Sequence, residues 1–371
     1  GEVKSTWKDV VPGGEWGDLR VPIVVVLLDD ADTQGLEKTL KSLAGLGSVR
    51  DHDIYVSQDK ANNKVNSLIV RHQANAGVKH ITHATEPTPD QLEDQSLRYS
   101  RHVGLAIRET LARSSKATHV IVVESGVEFS PDVLNVFQAS AEVMARDESA
   151  WIGAAWNPLS LRTMMWEENA LTRTSYFAGG AWMLRKELWE ELGAKWPLVG
   201  TQAVAGAVGG EVSWITWLNS DSVRQGRDCI TPEVSRVRKS ESAVPEDGLL
   251  HPLFAHLAVA DVDADPTRFS NILHLRRGDF EKTLKTSLDT AKEVPALAGT
   301  LPEMPPGHGG GVAYKIIFDV PHYPALARRY HAPEKWPVGS YRGVLTLKRH
   351  NSVVMLVERS SPLLPPSAPQ K

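Results

Sequence analysis

A chain of 371 residues has room for one large domain or two ordinary ones, each able to bury a sizeable core. Hydrophobic residues at 42%, charged residues at 23% and a net charge of −4 exclude a low-complexity chain and give no reason to expect nucleic acid or anionic membrane as a partner. No run of 18 apolar residues occurs, so no membrane span is predicted, and the first residues lack the basic and apolar regions of a signal peptide.

From Pro22 onwards strand and helix patterns alternate. "IVVVLL" (23–28) reads as a buried strand ending in Asp29 and Asp30, and Leu36, Leu40 and Leu43 predict a helix near 34–46. "DIYVSQD" (53–59) is the next strand, 62–74 a helix and "VKHITHA" (78–84) a third strand. After the loop "TEPTPD", a long helix over 95–113 leads into "HVIVVESGVEF" (119–129), where an apolar strand runs into Glu124 and turns through Ser125 and Gly126. Pro131 with Asp132 marks a helix start, predicting a helix over 131–146, and "AWIGAAW" (150–156) is another strand. This βαβαβ succession predicts an α/β fold with a mainly parallel sheet and helices on both faces.

The second half is less regular. A strand over 176–184 joins a helix "RKELWEELG", with Gly193 as its expected C-cap. Residues 198–213, rich in Gly, Ala and Val, read as a loop or insertion. A helix is expected around 278–293, a Pro/Gly-rich linker at 302–311, and then "VAYKIIFDV", "YPALARRYH", "GVLTLKR" and "SVVMLVE" as a small strand-and-helix module. The end, "SPLLPPSAPQK", reads as disordered.

Single features carry little. "HGGG" (308–311) lacks a G-x-S-x-G partner and reads as linker; the histidines have no metal-ligand spacing; "RVRK" (236–239) reads as a solvated loop. Trp151, Trp156, Trp182, Trp189 and Trp196 read as packing rather than sugar platforms. Cys229 is the only cysteine and no Asn-x-Ser/Thr sequon occurs, which together favour a reducing compartment, cytosol or organelle matrix.

Several stretches taken in order do carry a resemblance: "YVSQD", "SRHVGLAIRETL", "VIVVESGVEFSPDVLNVF", "AWIGAAWNP", "TRTSYFAGGAWMLRKELWEELGAKWP", "RQGRDCITPEVSR" and "YRGVLTL". Over about 21–357 the chain resembles the β-1,2-N-acetylglucosaminyltransferases, namely N-acetylglucosaminyltransferase I and the protein O-mannose enzyme. The resemblance implies a GT-A nucleotide-sugar transferase fold, UDP-GlcNAc as donor, Mn²⁺ as metal and an inverting displacement. The organisation expected is then an N-terminal extension (1–20), a GT-A-like domain (21–300) with an insertion at 198–213, a linker (301–311), a small C-terminal module (312–358) and a disordered tail (359–371).

The chemistry needs a cation for the leaving diphosphate and a carboxylate for the acceptor proton. The family's metal-site Glu-Asp-Asp falls on Glu124-Ser125-Gly126, so two acids are missing. Its Trp-Asp-Asp-Trp-Met-Arg falls on residues 214–219, placing Ile215 and Thr216 where the base should be; Asp221 and Glu211 are the nearby acids, without spacing to recommend them. Asp59 matches a uracil-side aspartate and His102 a histidine of the same pocket, with an Asx-type turn and a packed helix-start histidine as the plainer readings, and a solvated strand end as the plainer reading of Glu124. The family's phosphate arginine has no counterpart, and Asp29, Asp30 and Asp32 crowd that place. Cys229 matches one half-cystine whose partner position is Ile152, and a second pair maps near Leu28 and Lys60. A scaffold kept while its site is dismantled predicts a protein without metal-dependent catalysis that serves as a structural or binding subunit, in a larger protein assembly, with no cofactor and weak UDP-sugar binding at most. The alternative is an active inverting UDP-GlcNAc transferase with an altered or metal-independent site; only that alternative calls for Mn²⁺.

Overall fold

The computed structural model describes residues 20–27, 32–83, 95–164, 167–196, 214–239, 257–265, 267–295, 312–349 and 352–365. Its main sheet is built from β1 (Ile23–Val26), β2 (Ile54–Gln58), β3 (Lys79–Thr82), β4 (His119–Glu124), β6 (Ala150–Ala154), β7 (Leu171–Thr174), β8 (Ala181–Arg185) and β9 (Asp228–Pro232). They lie in the order β3-β2-β1-β4-β8-β6-β9-β7. The first four are parallel, as are β6 and β9, while β8 and β7 run antiparallel to their neighbours. β1, β4 and β6 are buried along their whole length, which is why "IVVV" and "VIVV" show no alternation of apolar and polar residues.

Helices α1 (Thr33–Ala44), α2 (Asn63–Ala76) and α4 (Val133–Arg146) cover one face, with Leu36, Leu40, Val65 and Phe137 against Ile23, Val25 and Val123. On the other face α3 (Gln95–Arg113), α5 (Lys186–Gly193) and α6 (Trp214–Asn219) place Val103, Ile107, Leu188 and Trp214 against Val24, Val26 and Val122. Asp32 caps α1, its Oδ1 accepting from the Gly35 amide at 2.8 Å. One member of the acidic trio therefore has a structural role, while Asp29 and Asp30 lie outside the described residues. A short α7 (Asp221–Arg224) precedes β9.

A second sheet, β11-β12-β14-β13, joins β11 (Lys292–Glu293), β12 (Val312–Phe318), β13 (Val344–Arg349) and β14 (Ser352–Glu358). Leu288 of α8 (Arg277–Thr290) packs on one face of it with Val344 and Met355, while α9 (Tyr323–Tyr330) contributes Tyr323 and Leu326 to the other side with Ile316 and Leu345. Beyond β14, Leu363 is buried in the same cluster as Tyr341 and Leu364 packs against it, so the chain expected to be disordered from 359 is held on the core as far as 364.

Three local expectations change. The strand expected over 176–184 starts only at Ala181, because Gly179 and Gly180 have φ of +80° and +86°, outside the extended region. Gly193 ends α5 inside the helix rather than as its cap; a Cβ there would lie 3.0 Å from the Trp189 ring, which would have to shift to admit it. The run 236–239 is no solvated loop: Arg236 is fully buried, and β10 (Val237–Lys239) pairs antiparallel with β5 (Val127–Phe129).

Candidate functional site

In the order β3-β2-β1-β4 the chain builds outwards from β1 and then returns to its other side, so the carboxyl ends of β2, β1 and β4 form a topological switch point. Val26 is the register partner of Ser57 on one side and of Glu124 on the other. These two polar residues therefore lie in one row on one face, two strand spacings or roughly 10 Å apart. Ser125 continues from this row, its amide donating to the Val26 carbonyl at 2.9 Å, and Gly126 turns the chain with a φ of +85°.

Glu124 is buried, against the plainer reading of a solvated strand end. Its Oε1 accepts from the Gly180 amide at 2.7 Å and its Oε2 from Lys239 Nζ at 2.7 Å. Lys239 also lies 5.1 Å above the Trp156 ring. Two features bring it there: the β5/β10 ladder, in which Lys239 is opposite Val127, and the anchor beneath it, where Arg236 Nε donates to both Asp132 oxygens at 2.8 and 3.1 Å. Lys239 is the residue that sequence reasoning missed; "RVRK" closely follows β9 but by itself does not set Lys239 apart from a solvated turn.

Across from Glu124 stands α6. A Cβ on Gly179 would lie 2.9 Å from Glu124 Oε1 and 3.0 Å from Ile215 Cδ1, so Glu124 and Ile215 border the same glycine. Thr216, the next residue, is exposed. Asn219 ties α6 to this loop, accepting from the Phe177 amide and donating to the Phe177 carbonyl, both at 2.8 Å. Trp214 stacks between Trp182 and Trp196 at 5.4 and 6.2 Å, confirming the tryptophans of these blocks as core. Asp221 is not brought into the site: its side chain is exposed and pairs with Arg224 at 3.4 Å. Glu211 lies outside the described residues, as do the 198–213 segment and "HGGG".

At the β2 end, Ser57 Oγ is hydrogen-bonded to His102 Nε2 at 2.9 Å and to His83 Nε2 at 2.8 Å. Burial lowers both imidazoles to about 4, so they are neutral at physiological pH. Asp59 sits beside them with Arg98 Nε at 2.8 Å and Arg101 Nη1 at 2.7 Å. Burial alone would raise its carboxyl, but Arg98, His102 and Arg101 outweigh that and hold it below the usual range. The structure thus gathers Asp59 and His102 in one polar cluster, in the same row of strand ends as Glu124.

The residues of the GNT-I family model match this chain over 3–362. The chain belongs to the GNT-I family. An alpha-1,3-mannosyl-glycoprotein 2-beta-N-acetylglucosaminyltransferase of Arabidopsis thaliana is 28% identical over 226 residues, 59% of this chain, and the match spans 47% of that relative, about half its length. Weaker backbone likenesses include the mannosyltransferase PcManGT of Pyrobaculum calidifontis, solved with GDP-Man and Mn²⁺, with a TM-score of 0.39, 16% identity and 79% of each chain covered. Another is TarS 1–349 of S. aureus, solved with UDP-GlcNAc, with a TM-score of 0.31, 12% identity and 47% of each chain covered. Membership fits the helix-flanked, mainly parallel sheet, which is the GT-A-like arrangement the resemblance implies.

The metal implied for the GNT-I family can be tested against these residues. A divalent ion wants several hard, anionic oxygens. Here the strand end offers one carboxylate, and that carboxylate already holds an ammonium at 2.7 Å, a like charge that opposes a second cation. Ser125 and Gly126 add no anionic oxygen, and among the described residues no three His, Cys, Asp or Glu side chains converge. The described residues at this strand end do not fit Mn²⁺. The disulfide expected in the GNT-I family shows the same pattern: Ile152 is the register partner of Cys229 on adjacent parallel strands, so the positions meet while one thiol is missing. Burial raises the Cys229 thiol to about 12, which leaves it unreactive. Lys60 follows β2, and its counterpart Leu28 lies outside the described residues.

Proposed function

We propose that this GNT-I family protein has lost metal-dependent sugar transfer and serves as a binding or structural subunit. One observation carries the reading. The turn of α6 that faces Glu124 presents Ile215 and Thr216, so the side chain packed against the site is aliphatic. An inverting displacement needs a group that accepts the acceptor hydroxyl's proton as the new bond forms, a contribution of about 10²- to 10⁴-fold in rate. Neither side chain can accept it at neutral pH. The buried strands and tryptophans around this gap and the Asp59–His102 cluster are intact, so the scaffold stands where the proton acceptor does not, which supports a binding or structural role.

Lys239 favours a second reading, an active inverting UDP-GlcNAc transferase that works without a metal. Steady-state UDP release from UDP-GlcNAc, with a mannose acceptor and with or without Mn²⁺, separates the two. No turnover above background is expected. Release at about 1 s⁻¹ or faster, abolished by Glu124→Ala, overturns the loss of transfer. The accompanying assignments, a reducing compartment and a place in a larger assembly, are tested by imaging the tagged protein and by its native mass; residence in the Golgi lumen overturns the first.

A further inference from the structure

The ion pair at the end of β4 has more to say about what this strand end takes. Lys239 Nζ has three donors, and among the described residues only one of them has a hydrogen-bond partner, Glu124 Oε2 at 2.7 Å. Its side chain keeps 11% of its surface exposed, so the amine is not sealed into the core. Gly180, whose amide holds the other Glu124 oxygen, borders the same side chain: a Cβ there would lie in ordinary contact with Lys239 Cε, at 3.4 Å. The Tyr99 hydroxyl, close enough to feel the Glu124 charge, is buried without a hydrogen-bond partner among the described residues. Burial first and the Glu124 charge second raise its pKa, so it remains a protonated donor. A cation with free donors and a phenol each act on Glu124 at a topological switch point, where open α/β sheets receive ligands. The polar cluster of Ser57, His102 and Asp59 lies along the same row, roughly 10 Å away across two strand spacings. That separation suits a ligand with a planar base at one end and a diphosphate at the other.

We infer that Lys239 takes the place of the divalent cation: the strand ends at this switch point receive a nucleoside diphosphate with the Lys239 ammonium against the diphosphate and no metal ion between them. This rests on the reading that metal-dependent transfer has been lost, and gives the retained site its ligand class. One ammonium supplies half the charge of a divalent ion and is partly neutralised by Glu124, so binding is modest. The sign of the Glu124 contribution becomes diagnostic. In a metal site the carboxylate helps hold the nucleotide; here it competes with the diphosphate for Lys239.

The test is calorimetric titration of the full chain with UDP, in EDTA and in Mn²⁺, for the unmodified protein, Lys239→Met, Lys239→Arg and Glu124→Gln. UDP is expected to bind in EDTA, with Mn²⁺ changing the affinity by less than about twofold. Lys239→Met weakens binding about tenfold or more, the scale of a lost charge-assisted hydrogen bond, Lys239→Arg restores it, and Glu124→Gln tightens it. Should Lys239→Met fold poorly with an unpaired Glu124, the double variant Glu124→Gln/Lys239→Met leaves no buried charge and must still bind weakly. Binding only with Mn²⁺, no loss in the Lys239→Met or double variant, weaker binding by Glu124→Gln, or no UDP binding at all overturns the inference. These outcomes are independent of turnover. Lys239-dependent, metal-free binding with rapid UDP release would overturn the function reading alone, whereas Mn²⁺-dependent binding without turnover would overturn this inference alone.

Discussion

Arg236 offers the sharpest test of how the site is held. Its guanidinium is fully buried, with Nε on both oxygens of Asp132 and the remaining nitrogens donating to the Val234 and Glu168 carbonyls. Arg236→Met keeps the apolar stem and removes all of this. Among the described residues Asp132, itself fully buried, then keeps only the Arg268 side chain at 3.4 Å, and two carbonyls lose this donor. Breaking a buried pair by deleting one partner costs about 3–5 kcal/mol. Each orphaned carbonyl adds on the order of 1 kcal/mol, in part non-additively. A loss of about 4 kcal/mol or more is expected, a large part of the ~5–15 kcal/mol that holds a domain together. Urea unfolding at pH 7.5, followed by tryptophan fluorescence, measures it. Arg238→Ala, on the exposed side of β10, is the control and should change stability by less than about 0.5 kcal/mol. Asp132→Asn combined with Arg236→Met should recover part of the loss, since the uncompensated charge is gone. If Arg236→Met costs less than about 1 kcal/mol, the pair does not anchor β10, and the account of how Lys239 reaches Glu124 fails with it.

Stability should fall as pH drops from 6.5 towards 4: burial holds His102 and His83 at about 4 and His119 at about 3, so the unfolded chain takes up protons first. His102 alone accounts for on the order of 3 kcal/mol by pH 4, and urea unfolding of His102→Gln between pH 7.5 and 5 should show a shallower slope; an unchanged slope refutes its burial as a neutral group. Below pH 4 a further loss is expected from Asp147, where Ser149, Arg277 and Arg173 outweigh burial and hold the carboxyl at about 2, so its stabilisation is present above the unfolded value and lost as pH falls towards 2; Asp147→Asn should flatten that limb. Gly179→Ala should destabilise by about 1–2 kcal/mol through its left-handed backbone, and, because its Cβ would press on Glu124 and Ile215, should also disturb UDP binding; a variant with normal melting and normal UDP affinity would mean that the loop has more room than the structure gives it.

Much of the fold was legible because its signals are local. Helix 95–113 and strand 352–358 match their patterns residue for residue, since a long amphipathic period and a buried β-branched run leave few alternatives. The short strands 171–174, 127–129 and 237–239 were not legible: a three- or four-residue strand is defined by the neighbour that completes its ladder, and that neighbour is distant in sequence. The same distinction divides the site. By itself the sequence determined what is missing, because the identities of Ser125, Gly126, Ile215 and Thr216 rule out a carboxylate wherever the chain places them. What stands there instead was decided only by tertiary structure. Lys239 is 115 positions from Glu124, and nothing in "RVRK" distinguishes a residue on a solvated turn from one folded back over Trp156. Electrostatic pairing depends on distance and burial, and both are set by the β5/β10 ladder and the Arg236–Asp132 anchor rather than by any neighbouring residue.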